Sequence, residues 1–543
     1  MNSELQGHGY NRQLKTLLTC SLFFICASVT KAQSGMWTWM KGDSTSCNLS
    51  SNEPSCRYAV AQWTDTTGNF WIYNSSDLWK YDPQLNTWTN TCGIPNDTIR
   101  ILSPKGVFNP QNNPGAKVNG VYTWTTSDNT LWMYGGIGQQ DGCAMLWKYS
   151  ITLNQWAWMG TFATENYGIK GVADSANMPG CSDETNAAWI DASGNLWLFG
   201  AGNYPGNNMW KYDISSGLWT WMSGSNNSDA GQYGTIGVPS VNNYPSSRWS
   251  NFYWKDDTGN FWVGLGHATV TDIWKFNPLT LEWTWMKGSP NATICTPIGN
   301  LCDTSSINQA GSRFENRTTW KISDKLILTY AGQGCGVPHY NDIWAYLPLE
   351  SKWIKIGDYP VAGHFGTKGV PSPLDYPNWR TGAAGFKDIY NNCWVFSGFT
   401  TGVISNDLWK YQIDWNCLPS NISVIDNLSD ENTLSVYPNP AFNELNISLS
   451  HSEFAEQVRI FNTLGQLFRD LKLSVNSSID VSNLPKGVYI AEIKFKQTIL
   501  KKLWIKRKSI PASNNWVAKM CRKVCTVTLF FIPAFSAASF IRF

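Results

Sequence analysis

Asp77-Leu-Trp-Lys-Tyr81 is the first copy of a short phrase that decides the fold of this chain. The phrase occurs six times, and its tryptophans follow one another at intervals of 68, 63, 64, 70 and 65 residues. The phrase tryptophans are Trp79, Trp147, Trp210, Trp274, Trp344 and Trp409. A period this regular indicates one supersecondary unit copied six times. Residues present in every copy are expected to build the unit, so residues that break the pattern are the better functional candidates.

The surroundings of the fourth phrase show what one unit contains. Residues 249–255 and 261–266 have the composition of strands, with turn residues between them at 256–260. Two more strands follow at 272–276 and 282–286. Four short strands, rich in aromatic residues and separated by Gly, Pro, Asn and Asp, predict a four-stranded sheet. Six such sheets arranged in a ring form a β-propeller.

The end of the sixth unit predicts how the ring closes. Five units finish with an aromatic fourth strand such as Glu282-Trp-Thr-Trp-Met286, whereas the sixth continues into Asp414-Trp-Asn-Cys417. A matching strand, Met36-Trp-Thr-Trp-Met-Lys-Gly42, precedes the first unit. We therefore expect the N-terminal strand to complete the last blade and remove its open edge. The phrase rings are expected to pack between neighbouring blades.

The unit resembles the kelch repeat over residues 36 to about 415. The resemblance is carried by an aliphatic strand ending in glycines, as in Gly135-Gly136, followed by the Asp-Leu-Trp-Lys-Tyr phrase and a later tryptophan. The period is longer than that of a typical kelch unit, and the excess lies between units, for example at 224–247. The first unit departs from the pattern with Asn74-Ser75 in place of the glycine pair. The resemblance implies a six-bladed kelch-type β-propeller as the domain at 33–417.

Composition and the N-terminal segment limit the compartments and partners that the chain is expected to have. The chain has 543 residues and a formal net charge of +2, so no basic field indicates nucleic acid as a partner. Residues 1–32 combine Arg12 and Lys15 with an apolar run, which is typical of a signal peptide. We expect an exported protein that is monomeric.

Cysteine usage agrees with export. Ten cysteines lie between Cys47 and Cys417, and an even number in an exported chain favours disulfides. The closest pairs, Cys47 with Cys56 and Cys295 with Cys302, are the predicted bonds. Metal binding by cysteine is the alternative, although the sequence contains no Cys-x-x-Cys.

A second domain is predicted at 433–510, after a polar linker at 418–432. Alternating strands with turns every few residues predict a small immunoglobulin-like β-sandwich. Its Tyr437-Pro-Asn-Pro440 start, Leu484-Pro-Lys-Gly-Val-Tyr489 and Lys501-Lys-Leu-Trp-Ile-Lys506 finish resemble the type A C-terminal sorting domain of the type IX secretion system. The resemblance implies the type IX machinery as a partner and the surface or medium of a Gram-negative bacterium as the location.

The last segment, residues 511–543, departs from that family, whose sorting domain normally ends the chain. It holds an uncharged run at 524–541, interrupted by Pro533, which is long enough to cross a bilayer. An atypical hydrophobic extension without a selected role is the other interpretation.

Catalytic chemistry has little support in the sequence. Propellers of this type include galactose oxidase, whose copper site uses tyrosines and histidines, and the resemblance directs attention to His267, His339 and His364. These histidines share no repeat position, and no hydrolase or metalloprotease motif is present. We therefore predict that the chain is not an enzyme, with no catalytic residue, metal or cofactor. A copper-dependent carbohydrate oxidase and an architectural surface protein are the alternatives.

Cations recur just before the first strand of most units. Counted back from the aromatic residue of that strand, they are Arg57, Arg248 and Arg380 at six residues and Lys117 and Arg313 at seven, while the third unit has Asp183 and Glu184. First strands line the channel of a propeller, so these side chains would meet at one mouth. Trp249 and Trp379 lie beside them in sequence.

Two interpretations of these cations remain open. Arginine beside aromatic rings suits a glycan or an acidic peptide. Alternatively, each arginine pairs with a nearby aspartate and fixes a loop. The predicted binding residues are Arg57, Arg248, Trp249, Arg313, Trp379 and Arg380. The predicted function is that of a secreted or surface-attached binding protein.

Overall fold

The computed structural model separates into two compact units, residues 1–423 and 424–543. The structure describes residues 35–43, 52–74, 77–93, 99–137, 144–161, 165–181, 187–202, 206–249, 252–266, 270–290, 294–313, 315–334, 339–422, 434–437, 441, 443–449, 457–462, 466–472, 478–494 and 499–506. The predicted signal peptide and C-terminal extension lie outside these residues. Among them, no helix has the length and apolar character needed to cross a membrane.

The first unit is built from strands, apart from two short 3-10 turns at Trp415–Cys417 and Ser420–Ile422. Its strands in the described residues are β1 (Met36–Lys41), β2 (Ala61–Thr64), β3 (Phe70–Asn74), β4 (Asp77–Asp82), β5 (Thr87–Cys92), β6 (Val118–Thr125), β7 (Thr130–Ile137), β8 (Met145–Ser150), β9 (Gln155–Thr161), β10 (Ala188–Ile190), β11 (Leu196–Phe199), β12 (Met209–Asp213), β13 (Leu218–Ser223), β14 (Phe252–Lys255), β15 (Phe261–Gly264), β16 (Ile273–Asn277), β17 (Glu282–Lys287), β18 (Thr319–Ser323), β19 (Leu326–Tyr330), β20 (Asp342–Leu347), β21 (Lys352–Asp358), β22 (Ala384–Lys387), β23 (Cys393–Thr400) and β24 (Val403–Gln412).

These strands form six antiparallel four-stranded sheets within the described part of the unit. Blades 1 to 5 are β2–β5, β6–β9, β10–β13, β14–β17 and β18–β21, each in sequence order. Blade 6 has the order β22-β23-β24-β1. The first strand of each blade contacts the first strand of the next, and β22 contacts β2, which closes the ring. The predicted six-bladed β-propeller is confirmed.

The N-terminal strand closes blade 6, as the sequence predicts. Strand β1 pairs antiparallel with β24, with Met36 opposite Gln412 and Trp39 opposite Trp409. The Trp37 ring is buried and contacts Tyr330 of blade 5 at a centroid distance of 5.1 Å. The first and last strands of the propeller therefore belong to one sheet.

The phrase rings form the seams between blades. Trp147 packs in one buried cluster with residues of blades 1 and 2, and Trp210 packs in another with residues of blades 2 and 3. Trp274 and Trp344 occupy equivalent clusters at the next two seams. Burial of one such ring contributes about 2–3 kcal/mol. The predicted core role of the phrase is confirmed.

The long connections between blades cover the outer edges of the sheets. Each of five connections makes a β-bridge with the fourth strand of the blade it enters, an arrangement that we call an arch. The bridges are Asn109 with Trp156, Asp174 with Trp219, Ser240 with Trp283, Leu301 with Lys355 and Ser372 with Trp37. The arches account for the length of the period, because an uncovered fourth strand would expose a row of unpaired backbone groups.

The disulfides differ from the prediction based on sequence proximity. Cys302 bonds to Cys417, 115 residues away, so the predicted bond between Cys295 and Cys302 is wrong. The ring places Cys302, on the arch of blade 5, beside the segment that leaves blade 6. Cys56 and Cys295 are also disulfide-bonded. Cys47 lies outside the described residues, so its predicted bond to Cys56 stays a prediction.

The second unit contains two small antiparallel sheets in the described residues, as a β-sandwich requires. Its strands are β25 (Leu434–Tyr437), β26 (Glu444–Leu449), β27 (Gln457–Asn462), β28 (Leu467–Leu471), β29 (Ser478–Asp480), β30 (Gly487–Lys494) and β31 (Ile499–Lys506). One sheet has the order β25-β26-β29 and the other β28-β27-β30-β31. Leu445, Val458, Ile460 and Ile479 belong to the buried core of this unit.

Candidate functional site

Four blades share a buried group of three side chains, which we call a strut. The guanidinium of the arginine before the first strand donates to the aspartate that opens the phrase, and that aspartate also accepts from the phrase tryptophan. In blade 6, Arg380 donates to both carboxylate oxygens of Asp407 at 2.9 Å, and Trp409 Nε1 donates to Oδ2 at 2.7 Å. The other struts are Arg57–Asp77–Trp79, Arg248–Asp272–Trp274 and Arg313–Asp342–Trp344.

Each strut arginine also joins its blade to the preceding one through the backbone. Arg248 N donates to Gly206 O of blade 3 at 2.9 Å, and Arg380 O accepts from Gly332 N of blade 5 at 3.1 Å. Arg57 O accepts from Gly398 N of blade 6 at 3.1 Å. The struts therefore hold consecutive blades in register at this face of the ring.

Electrostatics at the struts favour the charged forms in blade 6. Burial opposes ionisation, but Asp407 and its hydrogen bonds raise the pKa of Arg380 above its ordinary value. Burial likewise opposes the Asp407 carboxylate, while Arg380 and Trp409 hold its pKa below the ordinary value. The pair is thus a buried, hydrogen-bonded ion pair.

The predicted binding arginines are therefore enclosed. All four are at most 5% exposed, and each is bonded to an aspartate of its own blade. This is the second of the two interpretations that the sequence leaves open. Ligand contact through the guanidinium groups stays a prediction, and it would require a ligand to reach buried, already bonded donors.

The two predicted tryptophans lie on different blades. Trp249 follows Arg248 and is half-buried. Trp379 precedes Arg380 and is buried between His339, at a ring-centroid distance of 3.3 Å, and Phe399, at 6.1 Å. Burial holds the pKa of His339 below its ordinary value. The nearby Glu315 carboxylate acts in the opposite direction, but its effect is smaller. The structure brings Trp379 into an aromatic group that the sequence analysis did not predict.

Blade 6 adds an exposed hairpin to this aromatic group. Strands β23 and β24 extend as far as the pair Thr400 and Val403, and Phe399 forms a β-bridge with Thr381, next to Arg380. Phe399, Val403 and Ile404 are 37%, 50% and 38% exposed. The turn Thr400-Thr-Gly402 is the sequence signal that could have indicated this extension.

The candidate histidines for copper belong to no metal-binding group among the described residues. No group of three or more His, Cys, Asp or Glu side chains in that part of the chain could hold a metal ion. His364 Nδ1 lies 2.9 Å from Asp375 Oδ1, on the arch that enters blade 6. His267 lies outside the described residues.

Comparison with known families identifies the second unit. The secretion system C-terminal sorting domain family matches residues 435–506. The chain is therefore a β-propeller protein with a type IX sorting domain, secreted or displayed at the surface of a Gram-negative bacterium. None of the curated proteins matches the chain significantly.

The solved structures that resemble the chain include an oxidase and a secretion-system component. One is a fungal alcohol oxidase of the AA5 family in complex with copper, with 11% identity, covering 82% of this chain and 85% of that one, at a TM-score of 0.39. The other is PorZ, a surface component of the type IX secretion system of Porphyromonas gingivalis. It has 14% identity, covers 84% of this chain and 60% of that one, and has a TM-score of 0.33.

The prediction that the chain is not an enzyme needs correction. A copper-containing alcohol oxidase is among the structures that the chain resembles, so the chain is no longer assigned to the non-enzymes. At 11% identity the likeness transfers no activity to it.

Proposed function

We propose that the chain is exported through its sorting domain and acts outside the cell as a binding protein. Its ligand is a glycan or an acidic peptide, taken up at the strut face of the propeller near blades 5 and 6. The match of the sorting domain family to residues 435–506 supports export. The exposed hairpin beside the stacked His339 and Trp379 rings supports the position of the site.

The struts supply rigidity to this face. Because Arg380 is bonded to Asp407 and to Ser397 O, the base of the hairpin is anchored to blade 6. A pre-organised surface loses less conformational entropy when it binds a ligand. The strut aspartates neutralise the arginines and the Trp379 ring is buried, so the exposed side chains of Phe399, Val403 and Ile404 carry the proposal. Such a surface suits the apolar face of a sugar ring, and a glycan is therefore the favoured ligand.

A glycan and acidic-peptide array with the full chain tests this function. We expect binding to a defined glycan class, weakened about tenfold or more by the double substitution Val403→Ser and Ile404→Ser. The matched control is Val370→Ser with Leu374→Ser, two residues of the blade 6 arch that are 51% and 68% exposed. Equal binding by both double variants would place the site elsewhere. No response on either array would favour the architectural alternative.

Metal content and catalytic turnover distinguish the copper oxidase alternative from the proposed binding function. Copper at one ion per purified chain, together with oxidation of a sugar alcohol, would replace the binding function with an enzymatic one. Glycan binding without turnover would retain it. The two measurements use the same protein preparation as the array.

A further inference from the structure

Blade 2 breaks the strut pattern in an informative way. Lys117 takes the place of the strut arginine, and Met145 takes the place of the strut aspartate. The phrase tryptophan, Trp147, is retained and is fully buried. The blade therefore keeps a cation and an indole N–H but lacks the carboxylate that accepts from both in four other blades.

The retained donors are left without that acceptor. Trp147 Nε1 is buried and has no hydrogen-bond partner among the described residues. In the four struts, the equivalent indole nitrogen lies 2.7–2.8 Å from a carboxylate oxygen. Lys117 is only 2% exposed, and no carboxylate in the described part of the chain forms an ion pair with it.

A second cation reaches the same place. Arg100 Nη1 lies 3.4 Å from the sulfur of Met145. Burial and the charge of Arg100 lower the pKa of Lys117 to about 8. The residue that replaces the strut aspartate therefore contacts a cation through a thioether, which is a weak acceptor.

We propose that blade 2 contains a buried site for a small carboxylate such as acetate, bound by Lys117 and the indole N–H of Trp147. The carboxylate would take the position that an aspartate side chain has in the struts. Met145 is unbranched and flexible, so its thioether can move to admit the anion. Charge-assisted hydrogen bonds to both donors would then be restored. This site is separate from the glycan surface proposed on blades 5 and 6.

Equilibrium dialysis with labelled acetate at pH 7, at ionic strength matched with sodium chloride, tests the proposal on the full chain. We expect one acetate per wild-type chain. Met145→Asp supplies the missing carboxylate in place, so it should weaken acetate binding about tenfold or more. Lys117→Met should do the same. The control is Lys148→Met, since Lys148 lies over the rings of Phe108 and Trp132.

Melting temperatures and acetate binding together distinguish the possible outcomes. Acetate should also raise the melting temperature of the wild-type chain but not that of Met145→Asp, which should itself melt higher in acetate-free buffer. Absence of acetate binding to the wild-type chain would overturn the proposal. Equal binding by the wild-type chain and Met145→Asp would overturn it too, even if Lys117→Met failed to fold.

Discussion

At the residue scale, one backbone position shows how the strut arginines stabilise an unfavourable backbone conformation. In five blades a residue with positive φ lies within the second strand or directly after it, at Gly135, Gly200, Leu265, Ala331 and Ser397. Glycine occupies the position in blades 2 and 3, which lack struts, whereas blades 4 to 6 have other residues there. In those three blades the strut arginine donates to the carbonyl of that residue. The bond compensates for a conformation that side chains disfavour.

The first prediction concerns the strut itself. Arg380→Ala would leave the buried Asp407 carboxylate without its ion-pair partner, so we expect a loss of about 3–5 kcal/mol in the free energy of unfolding. Urea unfolding of the purified chain measures it. Lys410→Ala, a substitution of a half-buried cation on the same strand as Asp407, is the control and should change stability far less. An unchanged midpoint for Arg380→Ala would show that the strut does not stabilise the blade.

The second prediction concerns the lysine of blade 2. The folded-state pKa of Lys117 is about 8, below its ordinary value of 10.5, so folding disfavours its charged form. Stability should therefore rise as pH increases from about 8 to about 10.5, and the cost is fully present below pH 8. Lys117→Met should raise the free energy of unfolding at pH 7 by up to about 3 kcal/mol in acetate-free buffer.

The comparison between pH values provides the check for this substitution. The gain from Lys117→Met should shrink as the pH increases from 8 to 10.5, because the folded wild-type lysine is then neutral and the unfolded lysine loses its proton more readily as the pH rises. A gain that is constant from pH 7 to pH 10.5 would mean that the substitution acts through packing and not through charge.

At the element scale, local signals predicted the strands and turns well. The turn at 256–260 has the predicted chemistry, since Asp256 accepts from the backbone and side chain of Asn260 and from Trp262 Nε1. The arches were not predicted, because their bridges join segments whose pairing depends on the position of the neighbouring blade. The disulfide bond between Cys302 and Cys417 was not predicted for the same reason. Sequence proximity cannot identify partners that only the ring brings together.

The third prediction concerns the strand that closes the ring. Deletion of residues 36–42 would remove β1 and expose the edge of β24, so we expect aggregation or a large fall in melting temperature. Light scattering and thermal unfolding measure the two effects. Trp415→Ala removes a partly exposed tryptophan near the end of the propeller and should leave both unchanged. A deletion variant that stays monomeric and melts like the parent would contradict the role of β1.

At the scale of the whole molecule, the candidate site was harder to predict than the fold. The repeats predict the fold because the same residues pack in the same way in every copy. A binding site depends instead on residues that differ between copies. The alignment found the arginines but could not decide between a ligand and an aspartate as their partner. The aspartates Asp77, Asp272, Asp342 and Asp407 were visible at one repeat position. Only the folded blade shows that each lies within bonding distance of its arginine.

The last prediction concerns export of the whole chain. The family match at 435–506 and the compact second unit indicate a self-contained sorting signal, so a chain ending before Thr433 should accumulate in the periplasm of a type IX-competent host. Removal of 511–543 alone should not reduce export, because the matched domain ends before that segment. Fractionation of cells and medium, with the glycan array applied to both truncated proteins, measures location and folding together. If the chain without the second unit reached the surface normally, the sorting role assigned to that unit would be wrong.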